Sequence, residues 1–274
     1  MEHDWVLYIA AFSTAFAISN VMTPVAKKIS LKLGAIDMPK ARGMHKKPMP
    51  RMGGIAIVAG FTLTVLLLYN FTEYSDMHKL TGYFIGAAMI VVLGMVDDVK
   101  NLPAKFKFSV QILAALVAVA FGIRIHIVMW PVTYALLKLS IPITVIWIVG
   151  LTNAVNLIDG LDGLATGVSS IAAMCIMVLC ILTGDETSVV LTAALAGSCL
   201  GFLPRNFNPA EIFMGDTGAT FLGYTLAVTS ILGVFKGYAM IALMVSVLAV
   251  GFPIFDTLFA MTRRAARHQP IMQA

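Results

Sequence analysis

Charge is what this sequence is shortest of. Only 12% of its 274 residues are Asp, Glu, Lys or Arg, where an ordinary soluble domain carries about 25%. A chain that is 59% hydrophobic, with a mean hydropathy of +0.90, is excluded from the soluble globular class. Cysteine is scarce too. Cys175, Cys180 and Cys199 all lie inside apolar runs, where a thiol behaves as a small hydrophobe, so neither a disulfide framework nor a zinc-ligand spacing is present. No repeat, low-complexity tail or second domain interrupts residues 1–274, which read as one integral membrane domain. The first apolar run lacks a basic leader: it follows Glu2 and Asp4, and its basic cluster comes afterwards, which predicts a retained helix rather than a cleaved signal peptide. The net charge of +5 is scattered between long apolar runs, so nucleic acid is excluded as a partner in favour of a lipid bilayer and phosphorylated substrates.

What is there is hydrophobic length. About 20 apolar residues cross a hydrocarbon core as a helix. Nine stretches qualify, near 5–23, 52–71, 80–96, 107–123, 139–156, 164–183, 188–204, 218–235 and 238–261. The expected fold is all-α, a polytopic transmembrane bundle of about nine helices. Lys and Arg mark the cytoplasmic side, and Lys27, Lys28, Lys32, Lys40, Arg42, Lys46, Lys47 and Arg51 crowd the first connection. Threading from there puts the N-terminus outside, the C-terminal end in the cytosol, and cytosolic loops near 24–51, 97–107, 157–163, 205–217 and 262–274. Gly82 and Gly86 have the small-xxx-small spacing of close helix packing.

The same threading gathers Asp97, Asp98, Asp159, Asp162 and Asp216 at cytosolic helix ends, from three loops. Asp97 and Asp98 are adjacent carboxylates whose repulsion calls for a cation or a raised pKa, although a solvated turn accounts for them equally well. Asn153, Asn156, Asp159 and Asp162 recur every third residue, so a continuous helix would carry them along one arc. Gly160 and Gly163 are placed to break that helix and admit a ligand close to the backbone. Asp216, between Gly215 and Thr217 at a helix start, reads as an N-cap or as an acid beside a magnesium–diphosphate complex. Polar groups at membrane depth are costly, and five acids on one side imply a shared compensating partner.

At these residues the chain resembles the polyprenyl-phosphate N-acetylhexosamine-1-phosphate transferases. The resemblance rests on Pro48-Met49-Pro50-Arg51-Met52-Gly53-Gly54, the Asp97-Asp98 pair, Lys107 with Gln111, the run from Asn153 to Gly163, and Phe213-Met214-Gly215-Asp216. It implies transfer of N-acetylhexosamine-1-phosphate from a UDP-sugar to undecaprenyl phosphate with release of UMP, at the cytoplasmic face of a bacterial plasma membrane. It also implies magnesium, or manganese in its place, held by Asn156 and Asp216. Asp97, Asp98 and Asp159 take catalytic roles by the same resemblance. Lys47, Arg51, Lys107, Asn153, Asp162, Asn206 and Phe213 bind substrate, Asn206 and Phe213 at the uracil. Ile158 and Phe207-Asn208-Pro209-Ala210-Glu211-Ile212 are similar to the GlcNAc-1-phosphate branch rather than the MurNAc-pentapeptide branch. The family's products feed teichoic acid, lipopolysaccharide O-antigen or related envelope glycans. A homodimer is compatible with such a bundle.

One departure is visible. After Pro253-Ile254-Phe255-Asp256 and Arg263-Arg264, relatives continue into a histidine-rich loop and further helices, whereas this sequence stops at Ala274; His45, His126 and His268 do not replace that loop. The expectation is a C-terminally truncated chain with impaired turnover. The rival readings are an inactive scaffold and a cation-coupled transporter, for which Asp256 is the best-placed acid.

Overall fold

The computed structural model describes residues 4–38, 48–68, 71, 76–125 and 133–233. Over these, the elements are α1 (Trp5–Leu33), β1 (Ile36–Asp37), β2 (Met49–Pro50), α2 (Gly54–Leu67), α3 (Met77–Lys100), α4 (Ala104–Ala120), α5 (Thr133–Ile158), α6 (Leu164–Thr183), α7 (Glu186–Asn206) and α8 (Gly215–Gly233). Among the described residues, five helices are long and apolar enough to cross a membrane: α1, α3, α5, α6 and α7. The ninth predicted stretch, the 262–274 loop, Lys47, Asp256 and the three histidines named above lie outside the described residues.

Several boundaries differ from expectation. Helix α1 runs ten residues past its predicted end at 23, because Ala26 and Ser30 continue its buried face while its lysines face outward; Gly34, at φ 71°, ends it as a left-handed cap. Helix α2 has 14 residues, or about 21 Å at 1.5 Å per residue. That is less than the roughly 30 Å hydrocarbon thickness, so its predicted reach of 52–71 is corrected. The ribbon of β1 and β2, antiparallel with Ile36 opposite Pro50 and Asp37 opposite Met49, is an addition to the all-α expectation.

Helices α7 and α8 form the centre. Every residue of α8 from Thr217 to Gly233 is buried. In lipid, apolar area alone does not drive helices together, so small residues that admit close backbone contact do much of the work. Gly197 and Gly201 of α7 meet the backbone of Phe12 and Phe16 in α1, Gly54 of α2 meets Gly218, and Gly223 meets Leu151 and Thr152 of α5. The predicted pair Gly82 and Gly86 packs against Phe121 and Tyr224. Polar contacts pin the register: the Tyr83 and Thr225 hydroxyls lie 3.0 Å apart, and Trp147 Nε1 donates to Ser230 Oγ at 3.1 Å.

The proline inside α1 has a specific repair. Pro24 has no N–H, so the carbonyl four residues back, on Asn20, loses its helical donor. Arg205 of α7 supplies one at 2.8 Å through Nη1, and Asn20 Nδ2 reciprocates by donating to the Gly201 carbonyl at 3.2 Å. We expect Arg205→Leu to destabilise the protein by about 1–2 kcal/mol through the orphaned carbonyl, and Pro24→Ala to recover much of that loss by restoring the helical bond. Thermal unfolding of the two single variants and the double variant in detergent measures the coupling; strictly additive effects would refute the repair.

Candidate active site

The first turn of α8 is the point on which α2, α3, α4 and the end of α5 converge. Gly215 adopts φ +74°, a conformation that an L side chain resists, and a Cβ there would run into the Arg51 carbonyl and the Asp98 carboxylate. The Phe213 amide donates to the Pro50 carbonyl at 2.8 Å, the Gly53 amide to the Phe213 carbonyl at 2.9 Å, and the Gly54 amide to the Met214 carbonyl at 2.8 Å. Two motifs remote in sequence are thus joined backbone to backbone, which brings Arg51 and Asp216 to one place.

Asp98 is 2% exposed and faces α8. Its Oδ1 accepts from the Asp216 amide at 2.9 Å, and its Oδ2 from the Thr217 amide at 3.1 Å and the Thr217 hydroxyl at 2.5 Å. Asp97, equally buried, accepts from the Leu102 amide through Oδ1 and from Lys107 Nζ through Oδ2, both at 2.6 Å. Lys107 lies 3.6 Å from Asp216 Oδ2, and the Asp97 and Asp216 carboxyls are within hydrogen-bonding reach of each other. Arg51 closes the end of α3: Nε donates to the Asp98 carbonyl at 2.8 Å, and Nη2 to the Asp97 carbonyl at 3.2 Å and to Asn101 Oδ1 at 2.6 Å.

The α5 end completes the cluster. Asn153 Nδ2 donates to the buried Gln111 Oε1 at 2.6 Å, linking α5 to α4 one turn along from Lys107. Asn156 stands half-buried on the last turn of α5, one turn beyond the Thr152 contact with α8. The helix stops at Ile158, and Gly163 at φ 72° starts α6, as the glycine placement predicted. Asp159 lies against the Gly215 amide. Loss of hydration pushes its carboxyl well above the usual carboxylate range, and the charges of Asp216 and Asp98 add to the shift.

Three expected substrate contacts have other occupations. Asp162 accepts from the Ala210 amide at 3.0 Å. Asn206, 2% exposed, donates to the Ile212 carbonyl at 3.1 Å and accepts from the Thr166 hydroxyl at 2.7 Å, so its amide ties the 207–212 loop to α6. Phe213 is half-buried, with both backbone groups bonded to the β2–α2 segment. Thr217, Thr166 and Asn101 were not anticipated, because each acts through a partner far away in the sequence. Among the described residues, no acid lies midway along the helices. Asp76 and Asp185 cap α3 and α7 at their starts, which does not match the midplane acids of a transporter.

Four carboxyl groups, those of Asp97, Asp98, Asp159 and Asp216, stand against two cations, Lys107 and Arg51, and present oxygen donors without thiol or imidazole. That donor chemistry fits a hard divalent cation. Among the described residues, no three His, Cys, Asp or Glu side chains form a ready-made metal cage. Magnesium requires none, since it keeps waters and substrate oxygens and takes only one or two carboxylates.

A sequence model described as glycosyl transferase family 4 matches residues 80–234, which include all four clustered acids. The chain belongs to glycosyl transferase family 4. It is 40% identical over 274 residues to a probable undecaprenyl-phosphate N-acetylglucosaminyl 1-phosphate transferase of Bacillus subtilis, covering 99% of this chain and 75% of that one. It is 34% identical over 287 residues to a decaprenyl-phosphate N-acetylglucosaminephosphotransferase of Mycolicibacterium smegmatis, covering 92% and 69%. A phospho-N-acetylmuramoyl-pentapeptide-transferase of Staphylococcus carnosus is 30% identical over 268 residues, covering 89% and 83%.

In this member of glycosyl transferase family 4, the Arg51 fork holds the end of α3 and with it both aspartates. Arg51→Ala is expected to speed backbone amide exchange across 97–102 by about tenfold, the equivalent of roughly one lost hydrogen bond, and to leave α6 unchanged. Arg51→Lys should rescue it poorly, because an ammonium cannot reproduce the planar fork. Unaltered exchange at 97–102 would remove Arg51 from that role.

Proposed function

We propose that this protein transfers N-acetylglucosamine-1-phosphate from UDP-N-acetylglucosamine to undecaprenyl phosphate, releasing UMP, at the cytoplasmic face of a bacterial plasma membrane. The observation that carries the reading is the paired carboxyls of Asp97 and Asp216, sharing one lysine at the N-terminus of α8. Family membership and the names of the relatives support the reaction class. The 40% identity to the N-acetylglucosaminyl relative, against 30% to the N-acetylmuramoyl-pentapeptide one, favours the smaller sugar. A first step in making a cell-envelope glycan, such as teichoic acid or lipopolysaccharide O-antigen, fits this product.

In the reaction, an oxygen of the lipid phosphate attacks the β-phosphorus of the UDP-sugar. A new P–O bond forms as the bond from that phosphorus to the α–β bridging oxygen breaks, and UMP leaves with the electron pair. Asp216 and Asn156 would hold magnesium, or manganese in its place, which would supply the charge neutralisation that a diphosphate and its leaving group demand. Lys107 offsets negative charge beside the reacting phosphates. Asp97, on the same ammonium, orients the lipid phosphate or takes its proton. An already anionic phosphate needs little activation, so direct attack is favoured over a covalent aspartyl intermediate. Asp159 borders the nucleotide beside Gly215, and Asp162 and Asn206 serve by fixing the loop that ends at Phe213.

Exchange of label between UMP and UDP-N-acetylglucosamine, in the presence of undecaprenyl phosphate and magnesium, tests the assignment directly. The wild-type chain is expected to catalyse it. Asp97→Asn should slow it at least about 100-fold, and Asp216→Asn should depress turnover and the magnesium response together. Absence of exchange in wild type supports the scaffold reading, and a phospho-sugar trapped on Asp97 would replace direct attack with a covalent route.

A further inference from the structure

We infer that Asp98 is a positioning residue, the N-cap of α8 supplied in trans by α3, and that it acts on the reaction only by aiming Asp216. This rests on the phosphotransferase reading above. A helix leaves its first amides without intrahelical partners, and the usual remedy is an oxygen from the preceding residues. Here the remedy comes from 118 positions away: the two Asp98 oxygens accept from the Asp216 and Thr217 amides and from the Thr217 hydroxyl. The residue just before those amides, Gly215, is pressed between the Asp98 carboxylate and the Arg51 carbonyl, and it carries no side chain that could cap. A negative charge at this position also suits the positive end of the helix.

Three contacts account for both Asp98 oxygens, the residue is 2% exposed, and its neighbours are backbone and hydroxyl rather than open volume. Asp216, the adjoining residue, is the half-buried one whose carboxyl meets Lys107. Turning the α8 start by a fraction of a turn would carry Asp216 away from Lys107 and Asp97. Asp97 and Asp98 are therefore unlike in function despite their adjacency: one faces the reacting phosphates, and the other holds the helix that carries the facing acid.

Two readouts test this on the full chain in detergent. Without any substrate, Asp98→Asn keeps a single acceptor oxygen and so should protect only one of the two amides, whereas exchange at both Asp216 and Thr217 is expected to be slow in wild type. Exchange at both should be at least about tenfold faster in Asp98→Ala, where the cap is gone. Equal rates in wild type and Asp98→Ala would overturn the capping role whatever the reaction is. In the exchange assay, Asp98→Asn should keep activity within about tenfold of wild type with the same pH profile, whereas an acid–base role predicts losses of about 100-fold or more. Asp98→Ala should fall well below Asp98→Asn, and Thr217→Val should lose activity in part with no change of profile. Asp98→Asn as inactive as Asp98→Ala, with the acidic limb of the profile lost, would show that the ionisation of Asp98 is itself used. If Asp98→Ala fails to fold, Asp98→Asn and Thr217→Val still decide between the two.

Discussion

Four carboxylates can share one spot at the end of an apolar bundle only if something offsets their charge, and the start of α8 is where that balance is struck. Its free amides take up Asp98, Lys107 is divided between Asp97 and Asp216, and Arg51 draws the end of α3 inward through its carbonyls. Each contact comes from a different element. No single helix of this chain contains the site; the crossing of α2, α3, α4 and α5 at α8 does.

That crossing explains why the centre of the bundle is built from small residues. For Asp98 to reach α8 amides, α3 must approach its backbone closely, and Gly94 meets Thr217 there. For the Arg51 segment to bond the Phe213 segment, α2 must begin against α8, which the Gly54–Gly218 contact permits. Larger side chains at these positions would bury more apolar area, yet they would move the charged groups apart. The packing therefore serves the electrostatics: rigid, dry contacts below the site fix the distances on which the polar network above it relies. The excess of carboxyls over cations is the feature that a metal–diphosphate substrate would complete.

Much of this was legible in the sequence. The α6 stretch 164–183 is found as Leu164–Thr183, because Gly163 and Gly184 bound it with left-handed backbone on both sides. Asp97, Asp98, Asp159 and Asp216, from three loops, come together at one end, since a carboxylate beside an apolar run has few other places to go, whereas Asp162 turns to the Ala210 amide. The division of labour within the group was not legible. Asp97 and Asp98 look alike in one dimension, and only the fold shows that the first meets Lys107 and the second meets Thr217. Asn206 carries an amide suited to a base edge, but Thr166 and Ile212 use both of its ends. The short α2 and the β1–β2 ribbon were missed because they follow from where α8 crosses, a tertiary fact that leaves no periodic trace.

The claim that these elements converge to hold one divalent ion on a nucleotide diphosphate is open to a direct spectroscopic reading. Manganese bound to the purified chain together with UDP should show phosphorus-31 hyperfine coupling in pulsed electron-nuclear double resonance, and the coupling should vanish in Asp216→Asn. Manganese that binds without any phosphorus coupling, or that keeps the coupling when Asp216 is replaced, would contradict the account.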